Sequence, residues 1–223
     1  VNRAKPRRGR PARLSREAIL DAGLALLERE PDEPLTLGRV AEDVGAVPAA
    51  LYRHIGSLDA LLDGVLGRVV EGIRFEIRAR APWQDQVRAW MTATRAQLLR
   101  YPAVLPLITR RGRTSPPWLE AVAVLVAILQ RAGLEGRELA RAELWIAQTT
   151  VGIALEEAAL PLPDQVAAAR SALPELKPEA RAALAPLFPR MAEIDADAHF
   201  EFCTERTLVA LADLVRAPRR SRS

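Results

Sequence analysis

Apolar residues recur at intervals of three and four along almost the whole of this 223-residue chain, and alternating β-branched runs are absent. That period fits the 3.6-residue turn of an α-helix and rules out a sheet as the main scaffold. Proline, glycine and small polar residues then cut the chain into separate helices. Ser15 opens an amphipathic stretch carrying Ala18, Ile19, Ala22, Gly23, Leu26 and Leu27, which Pro31 and Pro34 close. Thr36 is a suitable N-cap for a short helix reaching Val44, and Gly45 stops it. Pro48 sits where a first helical turn accepts proline, so a third helix runs to about Ile55 before Gly56. Ser57 caps a fourth, whose Leu58, Leu61, Leu62, Val65, Leu66, Val69, Ile73 and Ile77 form one stripe.

Beyond these, helices are expected from Trp83 to Tyr101, from Trp118 to about Ala132, from Arg137 to Leu160 and from Asp195 to Val215. The segment from Pro161 to Pro189 holds six prolines among many alanines and should form loops and short helical pieces. The expected fold is all-α. Its parts are a basic arm over residues 1–13, a helix-turn-helix unit over 14–67, a larger helical unit over 68–216 and a basic tail over 217–223.

Charge divides the chain along the same lines. Six basic residues and no acid occupy residues 1–13, whereas residues 14–67 carry four basic and ten acidic residues, a net −6. The sequence pI of about 9.9 therefore comes from the two ends and not from the body. The arm is too rich in proline, glycine and charge to fold alone, and reads either as a solvated tail or as a segment that binds a phosphate backbone. A single cysteine, Cys203, excludes an internal disulfide framework. The longest apolar run, Ala121 to Leu129, has nine residues against the roughly 20 that span a bilayer, so no membrane partner is expected. No secretory signal pattern is read at the N-terminus, and the expected location is the cytoplasm.

Two short helices joined by a turn at Gly45 form a helix-turn-helix pattern, in which the second helix enters the DNA major groove. The stretch Gly45-Ala46-Val47-Pro48-Ala49-Ala50-Leu51-Tyr52-Arg53-His54-Ile55-Gly56-Ser57-Leu58-Asp59-Ala60-Leu61-Leu62 resembles the signature of the TetR family of bacterial transcriptional repressors. Leu35 to Val44 fits that family's second helix. The resemblance is specific over about residues 14–67; further on, only the all-helical pattern agrees.

In the third helix Val47, Leu51 and Ile55 should face Val40 and Val44, leaving Pro48, Ala49 and Arg53 to the groove. Ala49 suits apolar contact with a thymine methyl, and Arg53 suits a bidentate pair with a guanine edge. The resemblance implies that Tyr52 and His54 touch phosphates; Thr36 at a helix N-terminus is placed to do the same. Tyr52 could instead wedge the third helix on the fourth, His54 could stabilise the helix dipole, and Arg39 reads either as a DNA contact or as a solvated charge. Val47 stands where the family often has serine and Leu58 where it usually has lysine, which removes two phosphate contacts. Arg7, Arg8 and Arg10 of the arm are expected to replace them.

The resemblance further implies a homodimer whose C-terminal helices bind a small-molecule effector and whose two late helices pair into a four-helix seam. Val151 and Leu155 on one helix, with Phe202, Arg206 and Val209 on the last, are the positions expected there. All four tryptophans lie past residue 80, and Gln148-Thr149-Thr150 interrupts an apolar helix, so Trp90, Thr94, Trp118, Trp145, Gln148 and Thr149 are expected to line an effector pocket. Core packing is the alternative for the tryptophans. Asp195, His199 and Cys203 share a helical face, but two turns spread them over about 12 Å, too far to serve one metal ion. No catalytic set is present, so no enzyme activity and no cofactor is expected. The function expected is that of a repressor released from a pseudopalindromic operator by a largely apolar effector, the coupling running through the fourth helix. The rival is a nonspecific, architectural DNA-binding protein, which would show a steep salt dependence and little sequence preference.

Overall fold

The structure, a computed structural model, describes residues 14–75, 80–105, 108 and 115–216. The arm with Arg7, Arg8 and Arg10, the basic tail, and most of the arginine-rich loop before Ser115 lie outside the described residues. All regular structure among the described residues is helical: α1 Arg16–Arg29, α2 Leu37–Asp43, α3 Pro48–Ile55, α4 Leu58–Glu71, α5 Trp83–Arg100, α6 Pro116–Arg131, α7 Gly136–Ala159, α8 Leu162–Ala172, α9 Pro178–Leu184, α10 Leu187–Met191 and α11 Ala196–Arg216. The proline-rich segment forms α8 to α10 and a short 3-10 turn at Leu173–Glu175, as its composition predicts.

The starts of these helices are set locally. The Oγ atoms of Ser15 and Ser57 accept the amides of Ala18 and Ala60 at 3.1 and 3.0 Å, and Thr36 Oγ1 accepts that of Arg39 at 3.2 Å. Each cap satisfies a donor the helix leaves orphaned, worth about 1 kcal/mol. At the end of α2, Gly45 takes φ 66° while its amide and that of Ala46 donate back to Glu42 and Ala41. This double closure needs a left-handed residue, which only glycine adopts without strain. The chain therefore leaves α2 sharply enough for α3 to begin three residues later.

One continuous apolar cluster runs from Ile19 to Leu211, so the helix-turn-helix unit and the larger unit share a core. α4 makes the join, packing on α1 at one side and on α6 at the other. Gly23 of α1 and Gly64 of α4 allow the first of these approaches: a Cβ at Gly23 would come within 2.9 Å of Val65, and one at Gly64 would collide with Leu20. In the larger unit α5 lies against α6, α7 and α11.

α4 ends earlier than its apolar stripe suggests. Gly72 caps it, whereas the stripe continues through Ile73 toward Ile77. The stop is a tertiary contact: the Gln97 side-chain amide of α5 donates to Val69 O at 2.9 Å, in the space where a Cβ of residue 72 would sit. A Gly72→Ala variant must evict Gln97 although its backbone, at φ −72°, accepts alanine. The expected cost is about 1 kcal/mol, the net value of one hydrogen bond, read as a lower urea midpoint with an unchanged slope. Leu66 and Val69 are 1% and 0% exposed. A charge placed on either would destabilise the core by several kcal/mol.

Candidate DNA-reading face and C-terminal surfaces

The recognition face is built by burying one side of α3. Leu51 and Ile55 are 0% and 5% exposed against Val40, which is likewise sealed, while Pro48, Ala49, Tyr52, Arg53 and His54 all face solvent. Tyr52, at 53% exposed, does not act as the wedge between α3 and α4. Arg53 makes no ion pair or hydrogen bond among the described residues, so its guanidinium is available to an external acceptor. Arg39 on α2 is already committed: it donates to Pro34 O at 2.8 Å and pairs with Glu30, its side chain only 22% exposed. Arg29 of α1 bonds Asp43 of α2 at 2.7 Å. These pairs hold α2 on α1 and leave α3 as the projecting element.

Val47 departs from the sequence expectation. It precedes α3 as an extended N-cap residue, φ −95° and ψ 146°, so its side chain does not follow the phase of Leu51 and Ile55. It stands 65% exposed and makes no capping bond. With Leu58 at 39% exposed, apolar atoms flank the face where cationic or hydroxyl groups would grip phosphates.

The six residues expected in one effector pocket separate into two groups. Trp90, Thr94 and Trp118 are buried at 0%, 0% and 3% exposure. The two indoles meet edge to face with centroids 6.4 Å apart, and Trp90 Nε1 donates to Ala121 O at 2.9 Å. Trp145 and Gln148 instead face outward from α7, and Thr149 is half-buried. The polar triplet finds a local solution, because its one fully buried member, Thr150, donates from Oγ1 to Ile146 O at 2.8 Å within its own helix. Among the described residues two buried hydroxyls have no hydrogen-bond partner, Thr94 Oγ1 on α5 and Thr204 Oγ1 on α11. Thr204 escaped the sequence reading because it lies in an otherwise ordinary amphipathic helix. A groove of about 910 Å3 lies elsewhere, between α1, α4 and the start of α6, walled by Leu20, Gly64, Arg68 and Pro117.

The outward faces of α7 and α11 carry four exposed large apolar residues, Leu144, Trp145, Phe202 and Val209. Phe202, Arg206 and Val209 share one side of α11, with the Arg206 guanidinium 5.7 Å from the Phe202 ring centre. On α7, Leu144 is 52% and Trp145 39% exposed, with half-buried Leu155 further along and bare Gly152 between them, where an added Cβ would meet nothing within 4 Å. Val151, expected at the seam, is fully buried. Its position on α7 points into the core, so it offers no surface to a partner. Asp195 Oδ2 accepts the Ala198 amide at 3.1 Å as the cap of α11, and His199 Nε2 lies 3.7 Å from Cys203 Sγ. Burial pushes the Cys203 thiol up from its ordinary pKa.

Residues 79–212 match the family described as tetracyclin repressor-like, C-terminal domain. The tetracycline repressor protein class D of Escherichia coli is 30% identical over 175 residues, 76% of this chain and 79% of its own. Among solved structures, one described as a possible TetR family transcriptional regulator from Streptomyces coelicolor A3(2) is 28% identical, with a TM-score of 0.77 over 90% of this chain and all of its own. The Streptomyces coelicolor protein ActR, solved in complex with actinorhodin, superposes with a TM-score of 0.76 at 22% identity, covering 92% of this chain and 100% of its own.

Proposed function

The chain belongs to the TetR family of transcriptional regulators, and from that membership we propose that it is a repressor that binds a pseudopalindromic operator as a homodimer and releases it when a small, largely apolar effector enters the C-terminal unit. The observation that carries the DNA half of this reading is the outward face of α3, where Pro48, Ala49, Tyr52, Arg53 and His54 are all exposed while Leu51 and Ile55 anchor the helix from behind. Arg53 supplies the base contact, Ala49 the methyl contact, and Tyr52, His54 and Thr36 position the helix on phosphates. Arg39 is a brace for α2 and contributes little to the grip.

For the effector half, the Thr94 and Thr204 hydroxyls, without a hydrogen-bond partner among the described residues, mark buried donors that a ligand carbonyl or hydroxyl would satisfy, the first of them one turn along α5 from Trp90. The seam of the dimer is formed by Leu155, Phe202, Arg206 and Val209 together with Leu144 and Trp145. Working on DNA, the protein acts in the bacterial cytoplasm, at the nucleoid. Among the described residues no helix is long and apolar enough to cross a membrane.

The test is a footprint of genomic fragments from around its own gene, repeated with a panel of apolar small molecules. A protected inverted repeat that one compound clears supports the reading; uniform, strongly salt-dependent protection without sequence preference replaces it with the architectural one. A second expectation concerns the arm. The helix-turn-helix segment is net −6, so residues 1–13 supply compensating phosphate contacts. Deleting them should lower operator affinity and flatten its dependence on salt, because each lost phosphate contact reduces the slope by about 1. An unchanged slope in a salt titration would show that the arm is merely solvated.

A further inference from the structure

The last turn of α5 grips both helices that carry the DNA-reading unit. Its Gln97 holds the end of α4 through Val69 O. One turn on, Tyr101 is buried to 3% exposure and its hydroxyl donates to Glu28 Oε1 of α1 at 2.5 Å. Arg100 pairs with the same carboxylate and lies 5.5 Å from the Tyr101 ring centre. Glu28 belongs to the last turn of α1, whose next residue, Arg29, bonds Asp43 of α2, and whose C-cap, Glu30, pairs with Arg39 of α2. Polar contacts therefore tie α5 to Glu28 at the end of α1, and the next two residues tie α1 to α2, which packs on α3.

We infer that Tyr101 and Glu28, seconded by Arg100 and Gln97, are positioning residues that fix the angle of the DNA-reading unit, making the end of α5 a second route of control beside α4. The inference rests on the repressor reading for its consequence but not for its geometry. A buried phenol has one outlet for its proton, so the Tyr101 hydroxyl commits the end of α5 to wherever Glu28 lies. The charge assistance is mutual: burial and the Glu28 carboxylate push the Tyr101 pKa up to about 12, while the Tyr101 hydrogen bond holds Glu28 below the ordinary carboxylate value. Upstream, the unpartnered Thr94 lies on the same helix, seven residues and about 10 Å from Tyr101. A ligand that rotates or shifts α5 at Thr94 therefore moves Gln97 and Tyr101 together, and with them α4 and α1.

Tyr101→Phe keeps the ring and its packing and removes only the bond to Glu28. The experiment uses the full chain in a Cys203→Ser background, spin-labelled at Glu42→Cys on α2 and Glu120→Cys on α6, and diluted with unlabelled chain. Tyr101→Phe and Glu28→Ala should each broaden the distance between the two labels and lower affinity for the footprinted operator roughly three- to tenfold, the effect of one net hydrogen bond. Glu28→Gln, which still accepts from Tyr101, should restore most of the distance distribution. A distribution in Tyr101→Phe and Glu28→Ala indistinguishable from that of the parent overturns the inference, whether or not the operator is bound. An absence of operator binding in the parent chain would instead sink the repressor reading and leave the distance result standing.

Discussion

Arg53→Ala is expected to lower operator affinity by about 2 to 6 kcal/mol, a loss of about thirtyfold or more. The size follows from symmetry. One bidentate arginine–guanine pair discriminates by about 1 to 3 kcal/mol, and a homodimer on a pseudopalindrome makes it twice, at sites far enough apart to add. The fold should not notice. Arg53 is exposed and unpartnered among the described residues, so its truncation falls among surface changes worth less than about 0.5 kcal/mol. The matched control is Arg39→Ala, which removes a cation from α2, the other helix of the pair, where it is already committed to Glu30 and Pro34 O. It should cost stability and spare sequence preference. The measurement is fluorescence anisotropy on the operator and on variants with each guanine replaced: Arg53→Ala should lose discrimination at one position per half-site, not uniformly. Equal affinities for parent and Arg53→Ala, or a loss shared by Arg39→Ala, would remove Arg53 from the reading surface.

What the sequence discloses and what it conceals divide by range. Ser15, Thr36, Ser57, Gly45 and Gly56 are legible because each acts within four residues of itself, and caps and left-handed turns depend on little else. The buried side of α3 is legible for the same reason. Val47 misleads because it shares the spacing of Leu51 and Ile55 yet stands outside the helix, where periodicity has no force. The end of α4 misleads differently: Ile73 continues the apolar period, and what stops the helix is Gln97, 28 residues away from the carbonyl it binds. The Glu28 to Tyr101 bond spans 73 residues between two unremarkable polar positions, and no local pattern marks it. α7 is hardest. It buries Ile146, Thr150 and Val151 on one side and exposes Leu144 and Trp145 on the other, so apolar residues occur on both faces. A helix apolar on both faces gives periodicity nothing to choose between, and tryptophan and glutamine on its outer face read as pocket lining when they are surface.

That ambiguity can be resolved with one residue. Trp145→Glu is expected to convert the dimer into monomers, raising the dissociation constant of the dimer by about 10³-fold or more. Trp145 is 39% exposed in the single chain, on the face it shares with Leu144, and the uncluttered surface at Gly152 lets a partner helix come close. Aromatic residues in such seams bury on the order of 150 to 250 Å2, and a twofold axis places two copies in every interface. A carboxylate there would be desolvated without a partner, at several kcal/mol per copy, so the two together exceed what one exposed aromatic pair can lose by truncation. Sedimentation velocity reads the result directly. Operator binding should fall with it, because a monomer engages one half-site and forfeits the effective concentration that links the two. If Trp145 lined the effector pocket instead, Trp145→Glu would remain dimeric and keep its operator affinity while losing only the response to effector. Phe202→Ala separates the two further: on α11 it should weaken the same dimer by truncation alone, and a variant that leaves sedimentation unchanged would remove this face of α11 from the seam.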